Sequence, residues 1–211
     1  MSNLTQGKIS TTLLKFAMPL LFASLLQALY GAADLFVVGQ FADSSAVSAV
    51  AIGSQVMQTI TGIILGISMG ATVLIGKCIG EKNDEGVSKA IGSLSILFII
   101  FAVILTPLML LATDSAISVM HTPIEAVEYI RQYIIICSLG IPFIIGYNAV
   151  SAIFRGIGDS KTPVYFVLIA CIINIAVDIV LVSIFNLGAV GAAIATISAQ
   201  AISFIIALIY M

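Results

Sequence analysis

Charge in this chain is confined to short segments separated by six apolar runs, each long enough to cross a bilayer. They cover about residues 13 to 38, 46 to 78, 90 to 111, 127 to 153, 164 to 185 and 190 to 211. A helix rising about 1.5 Å per residue needs about 20 apolar residues to span a hydrocarbon core. Only 9% of the residues are charged and 61% are hydrophobic, with a mean hydropathy of +1.22. A soluble domain carries about 25% charged residues, so this composition implies an integral membrane protein. The runs lack the period-two alternation of a membrane barrel, and the expected fold class is an all-α bundle of six transmembrane helices.

Lys8 and Lys15 ahead of an apolar stretch, with Gly31-Ala32-Ala33 near its end, have the outline of a secretory signal. The run from Phe16 to Val38 is too long for a signal core, so it is read as the first span. Cys78, Cys137 and Cys171 are isolated, in or beside spans, and have neither disulfide nor metal-site spacing. They are read as small apolar packers.

Basic residues set the topology. With alternating spans, Lys8, Lys15, Lys77, Lys82, Lys89, Arg155 and Lys161 share one face, and only Arg131 stands near the other. By the positive-inside rule both ends of the chain are cytoplasmic and the host is the cell membrane. Residues 1–12 are then a cytoplasmic N-terminal segment and residues 13–211 the six-helix unit. The outer connections hold Asp43, Asp114, Glu125 and the only histidine, His121, which is read as a solvated turn residue. The last eleven residues are almost wholly apolar and stop at Met211 without a basic tail. That pattern fits an interrupted protein, or one half of the twofold repeat common among transporters.

Two acidic residues lie inside spans, Asp34 and Asp178. A carboxylate in hydrocarbon is costly, so it is expected to face the bundle interior and mark an ion or substrate pathway. Gln27, Tyr30 and Asp34 are three and four residues apart on one helical face; Asn174 and Asp178 stack four apart, as do Thr196 and Gln200. Gln55, Gln58 and Thr59 give the second span a stripe of its own. Lipid satisfies no hydrogen bond, so the stripes are expected to converge. The plainer reading, polar residues as interhelical glue, is favoured for each amide or hydroxyl but not for the aspartates, since Asn would serve as glue. A desolvated carboxylate pair can take up and release a proton as it is exposed to either side, or attract a cation. Oxygens of Asp34, Asp178, Asn174 and Thr196 would also suit Na+, leaving proton and sodium coupling both open. Gly62, Gly66 and Gly70 recur every four residues and with Gly76 and Gly80 predict close helix packing. Pro19, Pro107 and Pro142 fall within spans, where each removes a backbone donor and can bend its helix.

The string Arg155-Gly156-Ile157-Gly158-Asp159-Ser160-Lys161-Thr162-Pro163, together with Pro19, Gln27, Tyr30 and Asp34 in the first span and Asn174 and Asp178 in the fifth, resembles the multidrug and toxic compound extrusion (MATE) family, in particular its DinF-like branch. The resemblance covers essentially the whole chain. It implies a transporter lobe rather than an enzyme, with no cofactor and no nucleic-acid partner. Such exporters have two six-helix lobes and exchange H+ or Na+ for organic, often cationic or lipophilic, compounds. This chain looks like the N-terminal lobe, its partner a C-terminal lobe or a second copy. By position, Asp34, Asn174 and Asp178 look like the family's N-lobe cavity residues, with Tyr133 and Thr196 as further polar groups; Tyr129 lies four residues from Tyr133 on the same face, and Asn148 is a secondary candidate. Three alternatives stand beside this: a lipid-linked saccharide flippase of the same superfamily, a non-transporting fragment or assembly subunit, and an intramembrane aspartyl protease. The last rests on the G-x-G-D match at Gly156 to Asp159, a weak four-residue motif without its Tyr-Asp partner.

Overall fold

In a computed structural model, which describes residues 9–120 and 122–211, every run of regular structure is helical. Lys8 and most of the N-terminal segment, and His121, lie outside the described residues. The helices are α1 (Ile9–Phe41), α2 (Ser44–Gly80), α3 (Asp84–Val119), α4 (Val127–Leu139), α5 (Ile141–Gly156), α6 (Thr162–Asp178) and α7 (Gly188–Tyr210). Five spans are long and apolar enough to cross a membrane, α6 counting with its π-helical continuation Ile179–Ile184; a sixth results if the bent pair α4 and α5 is taken as one. Helix α1 begins at Ile9, ahead of its apolar span from Leu13 to Phe41.

The fourth apolar run is where the structure departs from a single span. It divides into α4 and α5, which meet at 47° around Gly140. Pro142 has no N–H to return to residue 138, so the α-helical ladder is interrupted there. A Cβ on Gly140 would come within 2.6 Å of Ile197, so α7 packs directly against the break. Pro19 and Pro107 lie inside α1 and α3, each of which runs on as one helix.

Asn83 caps α3 by accepting from Gly86 N at 2.8 Å, with Asp84 and Glu85 in the first turn where the helix dipole favours acid. Before α6, Gly158 takes a positive φ of 85° and Asp159 accepts from the backbone N–H of Lys161 at 3.0 Å and of Thr162 at 3.1 Å. Partial burial works against the Asp159 carboxylate, but the bonds from Thr162 and Lys161 outweigh it and hold its pKa below the ordinary value.

The helical register follows from pairwise contacts. Lys15 and Lys161 line one groove at one end of α1 and α6, while Asp34 and Asp178 interact toward the other, so these two helices run parallel. The sixth apolar run, α7, is antiparallel to both: Thr196 meets Asp34, Gln200 meets Tyr30, and Ser203 Oγ donates to the Phe166 carbonyl at 3.0 Å. Phe154, Phe166 and Tyr210 form an aromatic cluster near the lysine end. A larger core, including Ile64, Ile75, Phe98, Ile130, Ile134 and Ile145, binds α2 to α5 together. Apart from one face of α2, outward faces are apolar, with Leu21, Phe36, Ile99, Val103 and Ile172 all exposed, as expected against lipid. Arg131, the basic residue on the minority side, is paired with Asp114 at 2.9 Å and Glu128 at 3.2 Å.

Candidate functional site

Three helices bring the predicted acidic pair together. Asp34 on α1 is 4% exposed, Asp178 at the end of α6 is 0% exposed, and Asn174 one turn earlier is 1% exposed. Asp34 interacts with both Asp178 and Asn174, and its Oδ2 accepts from Thr196 Oγ1 at 3.0 Å. The remaining demand is large: Asp34 Oδ1, both Asp178 carboxylate oxygens and both Asn174 amide atoms are buried, and no group outside this cluster supplies them a hydrogen-bond partner among the described residues. Buried polar atoms are nearly always paired, and each exception calls for an explanation such as an ion or a role in exchange. Five converge here.

Of the other predicted residues, Tyr30 stands one turn before Asp34 and accepts from Gln200 Nε2 at 3.3 Å. Tyr133 is buried and lies within electrostatic reach of both Asp34 and Tyr30, whereas Tyr129 is 40% exposed. Gln27, two turns before Asp34, is half-buried and is not drawn into this set. Asn148 is buried, but its amide donates to the Ile144 carbonyl of its own helix at 2.8 Å.

The stripe on α2 does not converge with the others. Gln55, Gln58 and Thr59 are exposed; Gln55 and Thr59 line a groove of about 380 Å³ against α3, and Thr59 returns its hydroxyl to the Gln55 carbonyl. Gly62, Gly66 and Gly70 continue that face with no atom within 4 Å of a Cβ built on them. Of the stripe, Gly76 alone meets another helix among the described residues, a Cβ there lying 3.5 Å from the Gly156 carbonyl oxygen of α5, while Gly80 is open like the first three.

Two features of the site were not anticipated. A Cβ on Gly53 of α2 would collide with the Tyr133 ring, so this glycine makes the place where the tyrosine lies. Directly after Asp178 the chain widens into the π-helical segment Ile179–Ile184. The buried positions Ala170, Asn174, Asp178 and Val182 recur every four residues, which drifts about 40° per step around an α-helix. The wider turn offsets that drift and returns Val182 to the core beside Asp178. The strict four-residue spacing was the available signal. Among the described residues no cluster of three His, Cys, Asp or Glu residues could hold a metal ion, and the three cysteines are free. Asp159 is bound into its own turn, at the opposite end of α6 from Asp178.

The family model MatE matches residues 19–180. The Probable multidrug resistance protein YpnP of Bacillus subtilis is 28% identical over 216 residues, covering 99% of this chain and 47% of that protein. A multidrug resistance MATE family transporter in its outward-facing conformation superposes with a TM-score of 0.86 at 26% identity, over 93% of this chain and 44% of the other. A MOP superfamily transporter from Pyrococcus furiosus, whose binding pocket of reverse polarity suggests a different function, gives a TM-score of 0.86 at 28% identity, over 93% and 43%. The chain thus spans about half the length of the relatives it matches, and its fold fits the N-terminal lobe of such a transporter.

Proposed function

Since the chain belongs to the MATE family of multidrug efflux transporters, we propose that it forms the N-terminal lobe of a cation-coupled antiporter that exports organic, cationic or lipophilic compounds. Asp34, Asp178, Asn174 and Thr196 bind the exchanged species, with Tyr30 and Tyr133 at the margin and Gln27 further along α1. The observation that carries this reading is the buried, interacting carboxylate pair, closed off with Asn174 and Thr196 from any other hydrogen-bond partner among the described residues.

The chemistry is competition for one site. An ionised pair holds an organic cation; a proton or Na+ arriving at Asp34 and Asp178 neutralises the charge and releases it. Loss of the ion on the other side restores the affinity. The lysine distribution supports a cytoplasmic position for both termini in the cell membrane, with a C-terminal lobe or a second copy completing the passage. A saccharide flippase would require an anion-binding, basic cavity, which two carboxylates oppose.

Binding tests this without depending on a complete transport cycle. A fluorescent organic cation titrated into the detergent-solubilised protein should bind, and acid or Na+ should displace it. Asp34→Asn and Asp178→Asn should each weaken binding by about thirty-fold, the effect of removing one partner of a desolvated charge pair. Unchanged affinity in both variants would refute the site.

A further inference from the structure

A second, differently charged feature lies at the lysine end of the same helix pair. A groove of about 650 Å³ runs between α1 and α6, walled by Met18, Phe22, Tyr165 and Leu168 and carrying Lys15 and Lys161. Met18 is 60% and Tyr165 62% exposed, so the groove opens to the surroundings of the bundle. Neither lysine belongs to the ion pairs of the described residues, which engage Lys77, Lys89 and Arg131 instead. Asp159, the neighbouring acid, is committed to the backbone N–H groups of Lys161 and Thr162. Residues 1–8 contain no Asp or Glu with which to neutralise the pair. The first turn of α6 adds the positive end of a 17-residue helix.

We propose that this groove is a binding site for an anionic phospholipid, with Lys15 and Lys161 on the phosphate headgroup and the α1/α6 groove along the first part of the acyl chains. Charge complementarity decides the occupant. A zwitterionic lipid would leave two cationic ends without net compensation, and an apolar protein helix would leave them desolvated. Long lysine stems reach along apolar walls while their ammonium groups stay at headgroup level. Basic pockets between helices are general receptors for acidic headgroups. Because α1 and α6 also carry Asp34 and Asp178, the lipid would sit on the helix pair that frames the acidic site.

The test is native mass spectrometry of the detergent-solubilised chain with phosphatidylglycerol or phosphatidylcholine added at equal concentration. Phosphatidylglycerol should be retained preferentially. Each lysine is worth a factor of about five near an anionic headgroup, so Lys15→Gln with Lys161→Gln should reduce that preference by about twenty-five-fold. The charge-conserving Lys15→Arg with Lys161→Arg should keep it. A control pair at other lysines, Lys77→Gln with Lys89→Gln, should leave it intact. Glycerol phosphate, which has the headgroup charge but no chains, should not displace the lipid at equal concentration. Equal retention of both lipids, equal loss in the control pair, or displacement by glycerol phosphate would each overturn the proposal.

Discussion

The polar face of α6 and the polar face of α2 contrast sharply although both consist of amides, hydroxyls and small residues at helical spacing. Asn174 and Asp178 are closed in by α1 and α7, and Thr196 donates to the aspartate opposite. Gln55, Gln58 and Thr59 remain exposed, followed by Gly62, Gly66 and Gly70, where an added Cβ would meet no other side chain or helix among the described residues. A polar stripe on a membrane helix therefore identifies a face that avoids lipid without identifying what covers it. A carboxylate is more selective, because its desolvation cost leaves few tolerable positions.

The glycines give the largest contrast. Gly53→Ala should destabilise the protein by about 1–3 kcal/mol, since the new methyl must displace the Tyr133 ring in a packed interior. A thermal unfolding curve in detergent would show it, and an unchanged midpoint would break the interior half of the comparison. Next, Thr196→Val removes the hydroxyl bonded to Asp34 at nearly constant volume and should cost about 1.5–2 kcal/mol in the same measurement. If stability holds while cation binding falls, Thr196 belongs to the ligand set rather than to the scaffold.

On the outer face the sign should reverse. Gly66→Ala meets open space and supplies a better helix former, so the midpoint should rise, by up to about 1 kcal/mol in stability. A loss there would reveal that something covers the stripe in the assembled protein. Smallest of all, Gln58→Leu should change stability by less than about 0.5 kcal/mol, as for other exposed positions. Its effect on self-association, measured by sedimentation, would sharpen what that face is for.

Much of the helical layout was legible because bilayer thickness imposes a length and the cost of unpaired backbone imposes a helix. The pairing of Asp34 with Asp178 was legible for a similar reason: hydrocarbon excludes both from the outside, leaving a shared interior as their common refuge. Local sequence did not reveal the break at Gly140 as a change of helix, although Pro142 made bending possible. It did not separate Tyr133 from Tyr129 either, since one turn of helix places both on nearly the same face.

What the sequence determined by itself was the solvent each segment needs, the ends at which lysines collect, and which helices carry a charge that lipid rejects. These depend on residue type and spacing along one chain. Only the tertiary structure decided that α1, α6 and α7 close around the aspartates, that α2 turns its glutamines outward, and that Gly53 makes room for Tyr133. Those outcomes depend on which surfaces fit at van der Waals distance, a property of helix pairs that no single helix contains.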